Sequence, residues 1–157
     1  MENRLEKLRH RVDKLIMEKQ PYESRYFITH LYGVADFCTL LALKRNLDPE
    51  LAATCGMLHD IYQITAGTIE KHAIKGAEVA ESILKEMKSY SNEEIAIITN
   101  AISRHSKKSK IHEPYDELLK DADVMDHCFY NTGYPVIEKE MDRYRKILIE
   151  FGCKPAE

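Results

Sequence analysis

Apolar residues recur along this chain at intervals of three and four, the spacing of one face of an α-helix. Leu5, Leu8, Val12, Leu15 and Ile16 mark a first amphipathic helix that ends before Pro21. A second runs from about Arg25 to Arg45, with Asn46 as its stop. A third starts at Asp48-Pro49, a good N-cap followed by a good first residue, and continues to about Tyr62. A loop follows around Ala66-Gly67-Thr68. The fourth helix carries Ala73, Ala77, Ala80, Leu84 and Met87 on one stripe. The fifth opens on Ser91-Asn92-Glu93-Glu94, a capping-box pattern, and carries Ile95, Ile98 and Ile102. After the polar stretch 106–113, a sixth helix begins near Pro114, and a last one spans Pro135 to Phe151 with Gly152 as its end. Alternating β-branched segments are nearly absent. The expected fold is all-α: a compact, single-domain bundle of about seven helices over residues 1–157.

Some residues interrupt these stripes. His30 sits in the stripe Phe27, His30, Val34, Phe37, Leu41. His59 shares a stripe with Ala52, Cys55 and Tyr62. His105 continues Ile95, Ile98 and Ile102, and His72 lies in line with Gly76, Val79 and Ile83. One inward histidine is ordinarily a core residue bonded to a carbonyl. Four on four separate helices need four such explanations, whereas one shared metal explains them together. Asp60, between Leu58-His59 and Ile61-Tyr62, sharpens the case. No Lys or Arg lies within a helical turn of it, and burying an unpaired carboxylate costs several kcal/mol. A divalent cation would supply the missing charge. Periodicity does not choose between Asp121 and Asp123, which flank the stripe of Leu118, Ala122, Met125 and Phe129.

Composition adds limits. Of 157 residues, 44% are hydrophobic and 31% charged, which fits a soluble globular protein. No apolar run reaches the ~20 residues of a membrane span, and the charged N-terminus lacks a signal-peptide core. Four cysteines without a CxxC pair read as reduced packing residues of a cytoplasmic protein. The net charge of −3 gives no case for DNA or RNA as a partner. One local run is basic: Arg104, Lys107, Lys108 and Lys110, beside His105. Such a run suits a phosphate, with Arg104, Lys107 and Lys108 as substrate-binding residues and Arg104 foremost. The first and last helices offer faces on which a second copy could form a homodimer.

The order His30, His59-Asp60, Asp123 resembles the H…HD…D pattern of the HD superfamily of metal-dependent phosphohydrolases. ATCGMLHDI looks like that family's signature helix, and KHAIKGAEVAESIL, AISRHS and KDADVMDH are similar to its later elements. The likeness extends from about Ser24 to Tyr130, leaving flanking helices at 1–20 and 135–151. It implies His30, His59, Asp60 and Asp123 as metal ligands, with Asp121 as the fallback for the last. It implies a small-molecule phosphoester substrate, nucleotide-like, attacked by metal-activated water. A mixed histidine and carboxylate set suits Mn, Fe, Co, Ni or Zn. Asp60, His72 and His105 are then the catalytic candidates. His72 and His105 either hold a second metal bridged by Asp60 or protonate the leaving oxygen; Ser106, where a further ligand could stand, weighs against the second metal. The chain departs from better-understood subgroups by reading HDIYQ where many read HDIGK. Gly133-Tyr134-Pro135 is misplaced for the GYP element of cyclic dinucleotide hydrolases. The competing reading is a non-catalytic module that binds a metal or nucleotide.

Overall fold

A computed structural model describes residues 3–154. Eight helices follow in order: α1 (Arg4–Lys19), α2 (Ser24–Arg45), α3 (Pro49–Leu58), α4 (Ile61–Ala66), α5 (His72–Met87), α6 (Asn92–Arg104), α7 (Pro114–Tyr130) and α8 (Glu138–Glu150). There is no strand among the described residues. Local chemistry sets most of the boundaries. The side chains of Asn3 and Asp48 accept backbone N–H groups at the starts of α1 and α3, and Ser91 and Glu94 form a complete capping box on α6. Asn46, Gly67 and Lys88 close α2, α4 and α5 in the left-handed conformation.

One cluster of buried apolar side chains draws on all eight helices, from Leu8 in α1 to Ile147 in α8. Every residue from Leu51 to Leu58 is buried, so α3 is the central helix and has no solvent face. It lies closest against α2, at Gly56. A Cβ there would stand 2.7 Å from the Ala35 Cα and 2.8 Å from its nitrogen. Helix α2 is also packed along α7. At 22 residues α2 is long and apolar enough to cross a membrane, contrary to the expectation that no segment is. Its buried residues His30, Leu31, Val34, Ala35, Cys38 and Leu41 instead make it a core helix here.

The expected third helix is divided. It ends at Leu58, and Asp60 leaves helical geometry (φ −109°, ψ 18°) before α4 begins. Adjacent side chains of an unbroken helix diverge by about 100°. The break brings those of His59 and Asp60 toward one centre, with His59 Nε2 3.5 Å from Asp60 Oδ2. The last helix starts at Glu138, three residues after Pro135. Cys38, Cys55, Cys128 and Cys153 are free thiols, the first three buried.

Candidate metal centre

Five histidines converge where α2, α5, α6, α7 and the α3–α4 junction meet, and one device aims them all. His59 donates its Nδ1–H to the Gly56 carbonyl (2.7 Å), His105 to Ile102 (2.7 Å) and His72 to Ile69 (2.9 Å). Each acceptor is the carbonyl three residues back. A carbonyl can only accept, so Nδ1 carries the proton and a neutral ring has its lone pair on Nε2. His30 reaches the same state through Asp126 Oδ2 (2.7 Å), and His127 through Glu140 Oε1 (3.1 Å).

The freed Nε2 atoms meet in pairs. Those of His30 and His59 are 3.1 Å apart, and those of His72 and His105 3.2 Å apart. Two neutral rings with protonated Nδ1 cannot hydrogen-bond to each other through Nε2; either a proton on one ring, as on the raised His30, or a metal ion between them is needed. Two imidazoles on one transition ion, each at ~2.0–2.1 Å, place their nitrogens about 3 Å apart.

Asp60 stands between the pairs. Its Oδ2 is 3.5 Å from both His30 Nε2 and His59 Nε2, and its Oδ1 is 3.5 Å from His105 Nε2 and 3.7 Å from His72 Nε2. Asp60 Oδ1 is buried with no hydrogen-bond partner, a costly state for a carboxylate oxygen without a cation. Asp123 Oδ1 lies 3.5 Å from His30 Nε2 and 3.7 Å from His59 Nε2. The donor set therefore fits divalent transition ions: His30, His59 and Asp60 form one group and Asp60, His72 and His105 another, while Asp123 groups with His30 and His127 and with His59 and His105. The second group arises without a ligand at Ser106, because Asp60 offers a different oxygen to each side.

Protonation follows the same layout. Burial holds the fully buried His59 down to about 4. Burial of His30 works the same way, but its bonds to Asp126 and Asp60 push it up to about 10. Burial opposes ionisation of Asp60 and Asp123. Burial is the largest single influence at each, but His59, His105 and His30 together outweigh it at Asp60, and Lys108, His59, His127 and His105 together outweigh it at Asp123, so both are held well below the usual carboxylate range.

Asp121, the rival ligand, faces elsewhere: it accepts from Arg45 (2.6 Å) and Arg143 (2.8 Å). The basic run is divided as well. Lys108 donates to Asp123 and lines a cavity of about 190 Å³ over the carboxylates. Arg104, expected foremost on substrate, does not line it; its guanidinium is bonded to Asp116 at 2.7 Å. Being next to His105 in sequence puts Arg104 on another face of α6. Lys107 is exposed and does not line the cavity either.

Three participants went unseen in the sequence. His127 sits one turn after Asp123, its Nε2 3.4 Å from Asp123 Oδ1, and that i,i+4 spacing was the available signal. Asp126 and Glu140 act on histidines across helix packing, 96 and 13 residues away, and no local pattern marks them. Helix α8 supplies both Glu140 and Lys139 to the cavity wall.

Comparison with known proteins gives the chain a family and a fold. The family model for the HD domain matches residues 27–130. Ribonuclease Y of Chlorobium luteolum is 32% identical over 98 residues, covering 62% of this chain and 17% of that protein. Ribonuclease Y of Clostridium tetani is 30% identical over 121 residues, covering 76% and 21%. The chain thus spans about a fifth of the length of these relatives. The crystal structure of a predicted HD superfamily hydrolase from an uncultured Thermotogales bacterium superposes with a TM-score of 0.63. It has 23% identity and covers 91% of this chain and 88% of its own. At that identity the likeness is one of fold.

Proposed function

The chain belongs to the HD-domain family, and on that premise we propose that it is a metal-dependent hydrolase of phosphoesters. One observation carries the reading: Asp60 turns each carboxylate oxygen toward a separate histidine pair, and its buried Oδ1 has no other partner. His30, His59, Asp60 and Asp123 would hold one divalent ion, and Asp60, His72 and His105 a second. Transition ions bound there would supply a nucleophilic water of lowered pKa and polarise the phosphoryl group.

The chain's own groups do the rest. The Lys108 ammonium sits beside Asp123 at the cavity wall, where it offsets charge on phosphoryl oxygens. Lys139 adds a second ammonium. His127, aimed by Glu140, presents Nε2 to the same space. His72 and His105 act as ligands in this reading, not as proton donors, because their Nε2 atoms face each other and Asp60.

The relatives are ribonucleases by name, and RNA is cleaved at a phosphodiester. That name bears against the expectation of no RNA partner, so an RNA phosphodiester stands beside a small nucleotide as the substrate.

A panel of p-nitrophenyl phosphate and its bis ester, run with Mn, Fe, Co, Ni, Zn and Mg in turn, tests the proposal. Hydrolysis is expected with at least one of the transition ions, and His59→Ala and Asp60→Ala should reduce it to background. Wild-type rates in either variant would sink the reading. A nucleotide that raises thermal stability without turnover would favour the non-catalytic module. Metal analysis after saturation and desalting should return two equivalents; one or fewer would overturn the shared role of Asp60.

A further inference from the structure

A second cavity, of about 310 Å³, adjoins the first. It takes Arg25, Tyr26 and Thr29 from α2 and Tyr130 from the end of α7, and it shares His30 and His127 with the metal centre. Tyr26 and His127 line both cavities, so the two meet at these side chains. The Tyr26 ring lies parallel to that of His30, at 5.8 Å and 13°. The exposed face of this cavity is mostly apolar, with Tyr26 and Tyr130 57% and 65% exposed. Asp126 also lines it, but its Oδ2 already accepts from His30. Among the described residues, the Arg25 guanidinium and the Tyr130 side chain make no hydrogen bond, ion pair or ring contact.

We propose that this groove is the leaving-group subsite, and that it takes a nucleoside. The inference rests on the phosphohydrolase reading and narrows it. A phosphoryl group in the first cavity places its ester oxygen toward the junction at Tyr26 and His127, and the organic half of the ester then enters the second. The volume is that of a small-ligand pocket. Apolar walls with two accessible phenol rings suit a planar heterocycle, which stacks on aromatic faces whatever its identity. Arg25 can meet a base carbonyl or a further phosphate with its forked donors. A mononucleotide and the end of an RNA strand present the same nucleoside.

The experiment compares wild type with Tyr130→Ala, Tyr130→Phe and Arg25→Ala, all at exposed positions. AMP, the dinucleotide ApA and glycerol 3-phosphate are the substrates. Wild type should show a lower KM for AMP or ApA than for glycerol 3-phosphate. Tyr130→Ala should raise the nucleoside KM roughly tenfold with little change in kcat, and Tyr130→Phe should restore it. Whichever of AMP and ApA is preferred identifies the free nucleotide or the strand as the source. Adenosine, which lacks the phosphate, should shift the NMR signals of Tyr26 and Tyr130. An adenosine titration that leaves both unmoved, with KM unchanged in Tyr130→Ala, overturns the subsite. If no phosphoester is turned over the parent reading fails, and the adenosine titration still decides the groove.

Discussion

Each histidine at the centre is committed at Nδ1 before anything binds at Nε2. For His59, His72 and His105 the acceptor is a backbone carbonyl three residues back, so the orientation is set by the helix end itself. His30 depends on a carboxylate from another helix, and Gly33 makes room for it. A Cβ at Gly33 would stand 2.0 Å from Asp126 Oδ1. Because the obstructed atom is the tip of a side chain, Gly33→Ala should cost little stability but push the carboxylate off His30. Loss of such an outer partner weakens ion binding about 10–100-fold, which competition with a fluorescent chelator would measure; unchanged affinity would remove Asp126 from this role. The histidines on apolar stripes were legible in the sequence because a polar residue there breaks a local period. Asp126 was not, since its effect depends on how α7 lies on α2.

At the scale of elements, Gly56 lets α3 approach the α2 backbone at Ala35, and its carbonyl also aims His59. Gly56→Ala must move backbone, not a side-chain tip. It should destabilise by about 1–3 kcal/mol, read from urea unfolding, and a variant as stable as wild type would show that the helices can separate without cost. The loop before α7 is held from two sides: Arg143 of α8 donates to the Lys108 carbonyl (2.7 Å), and the fully buried Lys120 donates to the Lys110 carbonyl (2.8 Å). Caps and apolar spacing made the helices readable, because both are written in neighbouring residues. The break at Asp60 was not readable. Met57, Leu58, Ile61 and Ile64 continue an apolar pattern through it, so no local period marks the turn that brings His59 and Asp60 to one centre.

For the whole molecule, the donors come from α2, the α3–α4 junction, α5, α6 and α7. An ion held by groups so dispersed in sequence binds the folded chain and not the unfolded one. Addition of a suitable ion at ~100 times its Kd should therefore raise stability by about 2.7 kcal/mol, seen as a higher Tm that a chelator reverses. An unchanged Tm would argue against binding across these helices. Acid should act through other groups too. Arg4 holds Glu94 and Arg45 holds Glu150 below the ordinary carboxylate pKa. A depressed pKa gives stability that is present above the unfolded value, ~4.3, and lost as pH falls through the folded value. The buried His59, held at about 4 against ~6.5 when unfolded, should already lower the melting temperature as pH falls below about 6.5, and these carboxylate pairs should add a further drop below about 4; a flat profile to pH 3 would show both to be inert.

Glu140 and Lys139 belong to α8, beyond the segment 27–130 that defines the family. A chain cut after Tyr130 would retain every histidine of the centre and lose the acid that aims His127, one ammonium of the cavity wall and the arginine that ties down Lys108. The stretch by which kinship is recognised is thus shorter than the stretch that builds the centre and its cavity. Two relatives could share all of the first and still differ in chemistry through the helix that follows it.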